Sequence, residues 1–395
     1  MPKIRSITTF TTIDPARLDL TLIGRFAHAA TQALAATGYV VQTRRLATQP
    51  FPQWSQPATI VSTSRNLYSL CREQGLEYLS IGPLSMTDDP AYLQALPQIF
   101  AQELGIFATT IIATPQQGIG FLHETARLID TISRLKSHGM LNLYLAALAN
   151  CPAGSPFFPV AYHGGGEPSF ALAIQAADLA VQAFSHATDP TDARQRLTTA
   201  IQSTTDTLLP VAEKLARDYG IRFGGFDFSL APYPVNAESL GGALEALGPT
   251  FGGNGLVASA SVVMNAVEAA DFPRAGFSGL MLPILEDSVL AARAAQGRLS
   301  INDLLLLSAV CGTGLDCVPL PGDVGETTLH DILLDVAALS LRLNKPLTAR
   351  LMPFPGKQAG DSLTFDFEYF ADSRVLPAPR AGHWRGKNFN VLPRP

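Results

Sequence analysis

Charge is scarce in this chain. Of 395 residues only 15% are Asp, Glu, Lys or Arg, and the formal net charge is −5. No block of Lys or Arg builds a basic stripe able to release counterions from a phosphate backbone, which argues against nucleic acid as a partner. Long apolar runs are missing as well. The longest purely aliphatic stretch, Leu304 to Leu307, is far below the roughly 20 residues that span a bilayer. The opening MPKIRSITTF is followed by no apolar stretch of signal-peptide length, so neither a membrane nor secretion is expected and the cytoplasm is. Cysteine is sparse: Cys71, Cys151, Cys311 and Cys317 are widely spread without CxxC spacing, which excludes a disulfide framework and a structural zinc knuckle. No Ser/Gly linker, charge run or internal repeat divides the chain.

What is abundant is apolar character, at 47% of residues, enough for a sizeable core and too much for disorder. Asp14-Pro15 reads as a helix start, and the Ala/Leu-rich run behind it ends at Gly38. Strand-like stretches at 39–46, 76–81, 106–113 and 141–149 alternate with helical patterns. Strands separated by helices imply parallel pairing and an α/β class. Two long helical stretches, at about 170–187 and 192–219, read as an insertion before the strand-like 221–230. The turn-rich APYPVNAE, the glycine-rich FGGNG, the strand-like GFSGLML and the CGTGLD turn follow, then a helix near 328–343 and a strand at 347–352. The reading is one α/β domain over residues 1–376 and a loosely attached tail, 377–395.

Polar residues crowd onto five segments placed after apolar runs, where α/β proteins hold ligands. In YHGGGE, Gly164, Gly165 and Gly166 allow close backbone approach of a ligand, while His163 and Glu167 offer a base, an acid or metal ligands. A plain surface turn is the bland alternative. Asp227 sits between two phenylalanines in GFDFSLAP and needs a partner or a polar cavity. Glu286 and Asp287 end an apolar run, either as part of a site or with Asp287 capping the next helix. CGTGLD offers Cys311 as a thiol activated by backbone N–H groups, or as a small core residue. Asp316 and Asp323 are hydrogen-bonding or metal candidates. Arg350 and Lys357 are cations for a carboxylate or phosphate, or partners for those aspartates.

Taken in order, NCPAGSPFFPVAYHGGGE, GFDFSLAP, GFSGLMLPILED, CGTGLDCVPLPGD and KPLTARLMPFPGKQAGD resemble the uncharacterised domain-of-unknown-function family seven hundred and eleven. The family's His-Gly-x-Gly-Glu turn falls on His163, Gly164, Gly166 and Glu167, its Glu-Asp ending on Glu286 and Asp287, and its Cys-x-x-Gly-Leu-Asp turn on Cys311, Gly314, Leu315 and Asp316. The resemblance implies a closed or nearly closed barrel of about ten strands wrapped by helices, similar to pyruvate formate-lyase and other glycyl radical enzymes. It assigns no catalytic roles. Radical chemistry itself is disfavoured: Arg380-Ala381-Gly382-His383-Trp384 has the wrong spacing, and thirteen residues after Gly382 are too few to thread a barrel.

The expectation is therefore an enzyme, a lyase, isomerase or hydrolase, acting on a small polar or anionic metabolite at one barrel mouth. His163, Glu167, Asp227 and Cys311 are the catalytic candidates. Gly164, Gly165, Gly166, Arg350 and Lys357 would contact substrate. Glu286, Asp287, Asp316 and Asp323 would hold Mg²⁺, Mn²⁺ or Ca²⁺. The alternative is a non-catalytic small-molecule binding or sensing protein. The apolar, weakly charged composition is compatible with a homo-oligomer.

Overall fold

The opening segment is already a strand. KIRSITTFT forms β1 (Lys3–Thr11), although its Ser/Thr content conceals it: Ile4 and Ile7 turn to one face, and Ser6, Thr8 and Phe10 to the other. The computed structural model describes residues 3–136, 139–310 and 313–382. In chain order the elements are α1 (Thr21–Ala35), β2 (Arg44–Thr48), α2 (Ile60–Glu73), β3 (Tyr78–Leu84), α3 (Tyr92–Phe100), β4 (Ile106–Thr114), β5 (Gly118–Ile119), α4 (Leu122–Ser133) and β6 (Leu145–Ala149). Then come β7 (Ser169–Gln175), α5 (Ala177–Ser185), α6 (Pro190–Tyr219), β8 (Arg222–Asp227), α7 (Leu240–Ala246), α8 (Leu256–Ala269), α9 (Ser288–Ala295), α10 (Ile301–Val310), β9 (Gly314–Pro321), α11 (Gly325–Leu343) and β10 (Leu347–Phe354). A short hairpin, β11 (Ser362–Leu363) and β12 (Ser373–Arg374), ends the series.

Ten strands make one sheet in the order β8-β7-β1-β2-β3-β4-β6-β10-β9, with β5 paired to β4. The strands β1, β2, β3, β4 and β6 run one way, through parallel pairings made by helical crossovers. On the flanks, β7 with β8 and β10 with β9 run the other way, each pair joined to the central block by one antiparallel contact. The α/β class is as expected. Ladder pairing does not close the sheet: β8 and β9 are its two edges. Residues 273–284 touch both, since Phe226 N donates to Pro273 O, Ala275 N to Phe226 O and Met281 N to Ser229 O on the β8 side, while Ile284 N donates to Asp316 O on β9.

Three local expectations are corrected. The helix read over 170–187 begins as strand β7, because FALAI is apolar enough for a strand buried on both faces and only the stretch from Ala177 is helical. The first helix starts at Thr21, after a single 3-10 turn in which the Asp14 side chain accepts from Ala16 N. Of the segment read as a turn at CGTGLD, Gly314, Leu315 and Asp316 already belong to β9, whose residues are all buried.

The outer face of the sheet packs on the helices around one large core that includes Ile4, Leu46, Leu79, Ile106, Leu172, Leu315 and Leu347. The inner face carries two small clusters, one around Phe10, Phe107 and Phe158 and one around Phe157, Ala231 and Met281. Both depend on residues 155–161, a buried segment without ladder partners that crosses this face. A buried loop must have its backbone polar groups satisfied. Here strand hydroxyls do so: Ser6 and Thr8 donate to Pro156 O at 3.2 and 2.7 Å, and Ser80 donates to Ala161 O at 2.6 Å. The hydroxyl-rich character of β1 thus has a structural cause. Among the described residues no helix is long and apolar enough to cross a membrane.

Candidate functional site

A cavity of about 110 Å³ lies between the inner face and the crossing segment. It opens at the starts of the central strands, with Arg5 on β1, Arg45 on β2, Tyr78 on β3, Phe107 on β4 and Tyr144 just before β6. Asp316, Thr348 and Arg350 face it from β9 and β10, and Glu286 from the end of the bridging stretch. Phe157, Phe158 and Val160 of the crossing segment form its floor, and Phe367 and Tyr369 line it from the C-terminal region. Ligand-binding residues were expected on turns that follow strands. This cavity is walled mainly by the strands themselves, because the crossing segment and the reversed flanks enclose space beneath the sheet.

Two β-bulges aim the charges. In β1 the pairing with β7 skips from Ile4 to Ser6, leaving Arg5 as the extra residue. In β9, Asp316 and Cys317 together oppose Arg350, and Cys317 takes φ 46°, a strained left-handed conformation for a cysteine. The result is a compact ion network. Arg350 donates through Nε to Asp316 at 2.5 Å and through Nη2 to Glu286 at 2.9 Å, while Arg5 reaches the other Glu286 oxygen at 2.9 Å. Burial raises the Glu286 carboxyl, but Arg350 and Arg5 outweigh it and hold the group below the usual range. For Asp316 burial prevails over Arg350 and the shift is upward. Burial would lower Arg350, yet its carboxylates keep it above its ordinary value.

Arg45 differs. It is 8% exposed, and among the described residues no carboxylate lies within ion-pair distance. Its Nε donates to Thr43 Oγ1 at 2.8 Å, and that hydroxyl is itself held by the Arg5 carbonyl. Its guanidinium stands 5.0 Å from the Phe158 ring centre and 5.6 Å from that of Tyr78. Both terminal nitrogens are without a hydrogen-bond partner among the described residues. Burial, with Arg5 adding repulsion, pushes the group down to about 10, still protonated at neutral pH.

The candidates from the sequence divide accordingly. Arg350, Glu286 and Asp316 meet in the cavity wall. Asp287 does not: it caps α9 by accepting from Val289 N and Leu290 N and also accepts from Ser239 Oγ and Gly241 N, so one carboxylate secures the starts of two helices. Asp323 is an exposed turn residue, and Lys357 is exposed with Nζ on Ser362 O. The four acidic residues expected to bind a divalent cation are thus not one cluster. No group of three or more His, Cys, Asp or Glu among the described residues is arranged to hold a metal ion. Glu286 and Asp316 also have oxygens committed to guanidinium groups, which would repel a second cation, so this donor set does not fit Mg²⁺, Mn²⁺ or Ca²⁺.

His163 is buried beyond the end of β2, its N–H on Thr48 O and its ring 3.4 Å from Gly166 O. Burial lowers its pKa. It does not line the cavity. Glu167 is exposed, as are Gly164, Gly165 and Gly166. A Cβ at Gly165 or Gly166 would meet nothing within 4 Å; positive φ values of 96° and 86°, rather than close approach of a ligand, call for glycine there. Asp227 is fully buried and accepts from Ser229 Oγ at 2.5 Å, Phe277 N at 2.9 Å and Ser278 N at 2.8 Å. Burial raises it to about 6 despite those donors. It is a positioning group for the loop that carries Phe277 into the cavity, and Gly276 is required beside it, since a Cβ would fall 2.0 Å from its Oδ2. Cys311 lies outside the described residues. The thiol that does meet the network is Cys317, 3.3 Å from Glu286 Oε1, and burial raises it well above the ordinary value.

Sequence reasoning missed Arg5, Arg45, Tyr78, Phe158 and Tyr369. For Arg45 a signal existed: in TRRLAT a two-residue period puts Arg45 on the face opposite Leu46, inside a sheet expected to be buried on both sides.

A family model described as Uncharacterised ACR (DUF711) matches residues 2–368. Among relatives, a UPF0210 protein of Pyrobaculum arsenaticum is 35% identical over 63% of this chain and 57% of its own length. UPF0210 protein MK1214 of Methanopyrus kandleri is 30% identical over 76% of this chain and 70% of its own. A UPF0210 protein of Syntrophobacter fumaroxidans is 29% identical over 83% of this chain and 77% of its own.

Proposed function

This chain belongs to the uncharacterised DUF711 family, which carries no named reaction, and from its own residues we propose that it binds a small anionic metabolite in the cavity beneath its sheet. The observation behind the proposal is Arg45, a buried cation with free donors facing the cavity, acted on by Glu286 from a distance but with no carboxylate within ion-pair distance among the described residues. Burying a charge is costly unless it is paired. A bound anion would supply the missing partner. On this reading residues 273–284 complete the wall between β8 and β9, giving a barrel with the cavity at one mouth.

The test is calorimetric titration of the full chain with acetate, benzoate and inorganic phosphate, repeated on Arg45→Gln. At least one of the three is expected to bind the native chain and to lose at least tenfold in affinity in the variant. No binding by any of them, or equal binding by the variant, refutes the proposal.

A second reading adds turnover by a lyase, isomerase or hydrolase. It is favoured by the strained Asp316-Cys317 bulge beside the network, since such strain collects at functional positions. NMR of a bound anion incubated with the protein decides this: new resonances support an enzyme, and an unaltered ligand supports a binding or sensing protein.

A further inference from the structure

Resting on that reading, we infer that the ligand is a monocarboxylate with a flat apolar body, anchored end-on by the Arg45 fork. Charge comes first. The residues lining the cavity include three guanidinium groups, Arg5, Arg45 and Arg350, and two carboxylates, Glu286 and Asp316. One negative charge balances that set. A dianion overfills it and has to compete with Glu286 for Arg5 or Arg350.

Geometry points the same way. The Nε of Arg45 is committed to Thr43, and its guanidinium stands 5.0 Å from the Phe158 ring centre and 5.6 Å from that of Tyr78, which leaves the two terminal nitrogens, coplanar by the nature of the guanidinium, for a ligand. A planar carboxylate matches two parallel N–H donors, whereas a tetrahedral oxyanion does not need them coplanar. Beyond that edge the wall is aromatic: Phe107 packs edge-on against Tyr78, Tyr144 and Phe158, with ring centres 4.8 to 5.6 Å apart. A flat ring or short unsaturated chain can lie against such a wall, and a hydrated polar body would lose its water without replacement. At about 110 Å³ the space is on the scale of one small ring, since an apolar cavity of about 150 Å³ takes up benzene, and the carboxylate would sit at the Arg45 edge.

The experiment compares benzoate with benzamide, acetate, phthalate and inorganic phosphate by calorimetry on the full-length chain at pH 7.5. Benzoate is expected to bind tightest, with benzamide and acetate each at least tenfold weaker and phthalate and phosphate weaker still. Arg45→Lys, which keeps the charge but not the planar fork, is expected to lose about tenfold for benzoate and acetate alike and little for inorganic phosphate. Benzamide equal to benzoate, acetate equal to benzoate, or either dianion binding more tightly would each overturn the assignment while leaving an anion or ligand site standing. Silence from the whole panel would instead remove the underlying reading of an anion site.

Discussion

Arg350 and Arg45 line the same cavity, and among the described residues only Arg350 has carboxylates within ion-pair distance. Arg350 sits between two carboxylates in a bulged, strained corner of β9 and β10. Arg45, on β2, has a hydroxyl and two aromatic rings and, among the described residues, no carboxylate within ion-pair distance. The comparison separates structural charge from charge kept for recognition. A buried pair carries its own neutralisation and contributes by not being broken, whereas a buried single cation costs stability until something binds.

The largest effect expected is on the paired side. Arg350→Met leaves Asp316 and Glu286 buried and uncompensated, with a loss of about 3–5 kcal/mol in urea unfolding. If this variant costs no more than an average surface substitution, the network is not structural and the contrast collapses. Next is the loop anchor. Asp227 titrates near 6 when folded, above its ordinary 3.8. Its raised pKa therefore favours the folded state most at low pH, and that contribution is lost as pH rises from about 4 to about 6, by on the order of 3 kcal/mol. Asp227→Asn should flatten this part of the stability–pH curve, and an unchanged slope would show that another group produces it.

Glu286→Gln keeps the shape and removes one charge, with an expected cost of about 1–3 kcal/mol and, through the extra positive charge, tighter binding of dianions such as phthalate. Arg45→Gln sharpens the contrast most directly. Unfolding should show a change between about zero and a gain of 1 kcal/mol, because the variant relieves an unpaired buried cation. A loss as large as that of Arg350→Met would mean that Arg45 has a structural partner after all. Smallest of all, Glu167→Ala at an exposed turn should stay within about 0.5 kcal/mol and leave benzoate affinity unchanged.

How much of this was legible beforehand varies by element. The central strands and crossovers follow from apolar runs such as GIFATTIIA, whose composition suits burial on both faces. The strand β1 is hard to see because Ser6, Thr8 and Thr9 look like a loop, while in the fold Ser6 and Thr8 bond to a segment some 150 positions away. In the site, Arg350, Glu286 and Asp316 were visible as polar residues after apolar runs. His163 and Glu167 drew notice for the same reason and proved to be at a turn outside the cavity. Polarity near glycine marks turns of every kind, so it cannot distinguish the two outcomes.

By itself the sequence determined the class of the protein: apolar strands alternating with helices, and ordered motifs that place it in its family. Which charges meet was decided only by the tertiary structure. Arg5, Arg45, Glu286, Asp316 and Arg350 come from five separate stretches of chain, and their pairing depends on bulge positions, strand reversal and a buried crossing segment. These are relations between distant residues, and a local pattern of propensity or periodicity carries no information about which distant side chain will neutralise a buried charge.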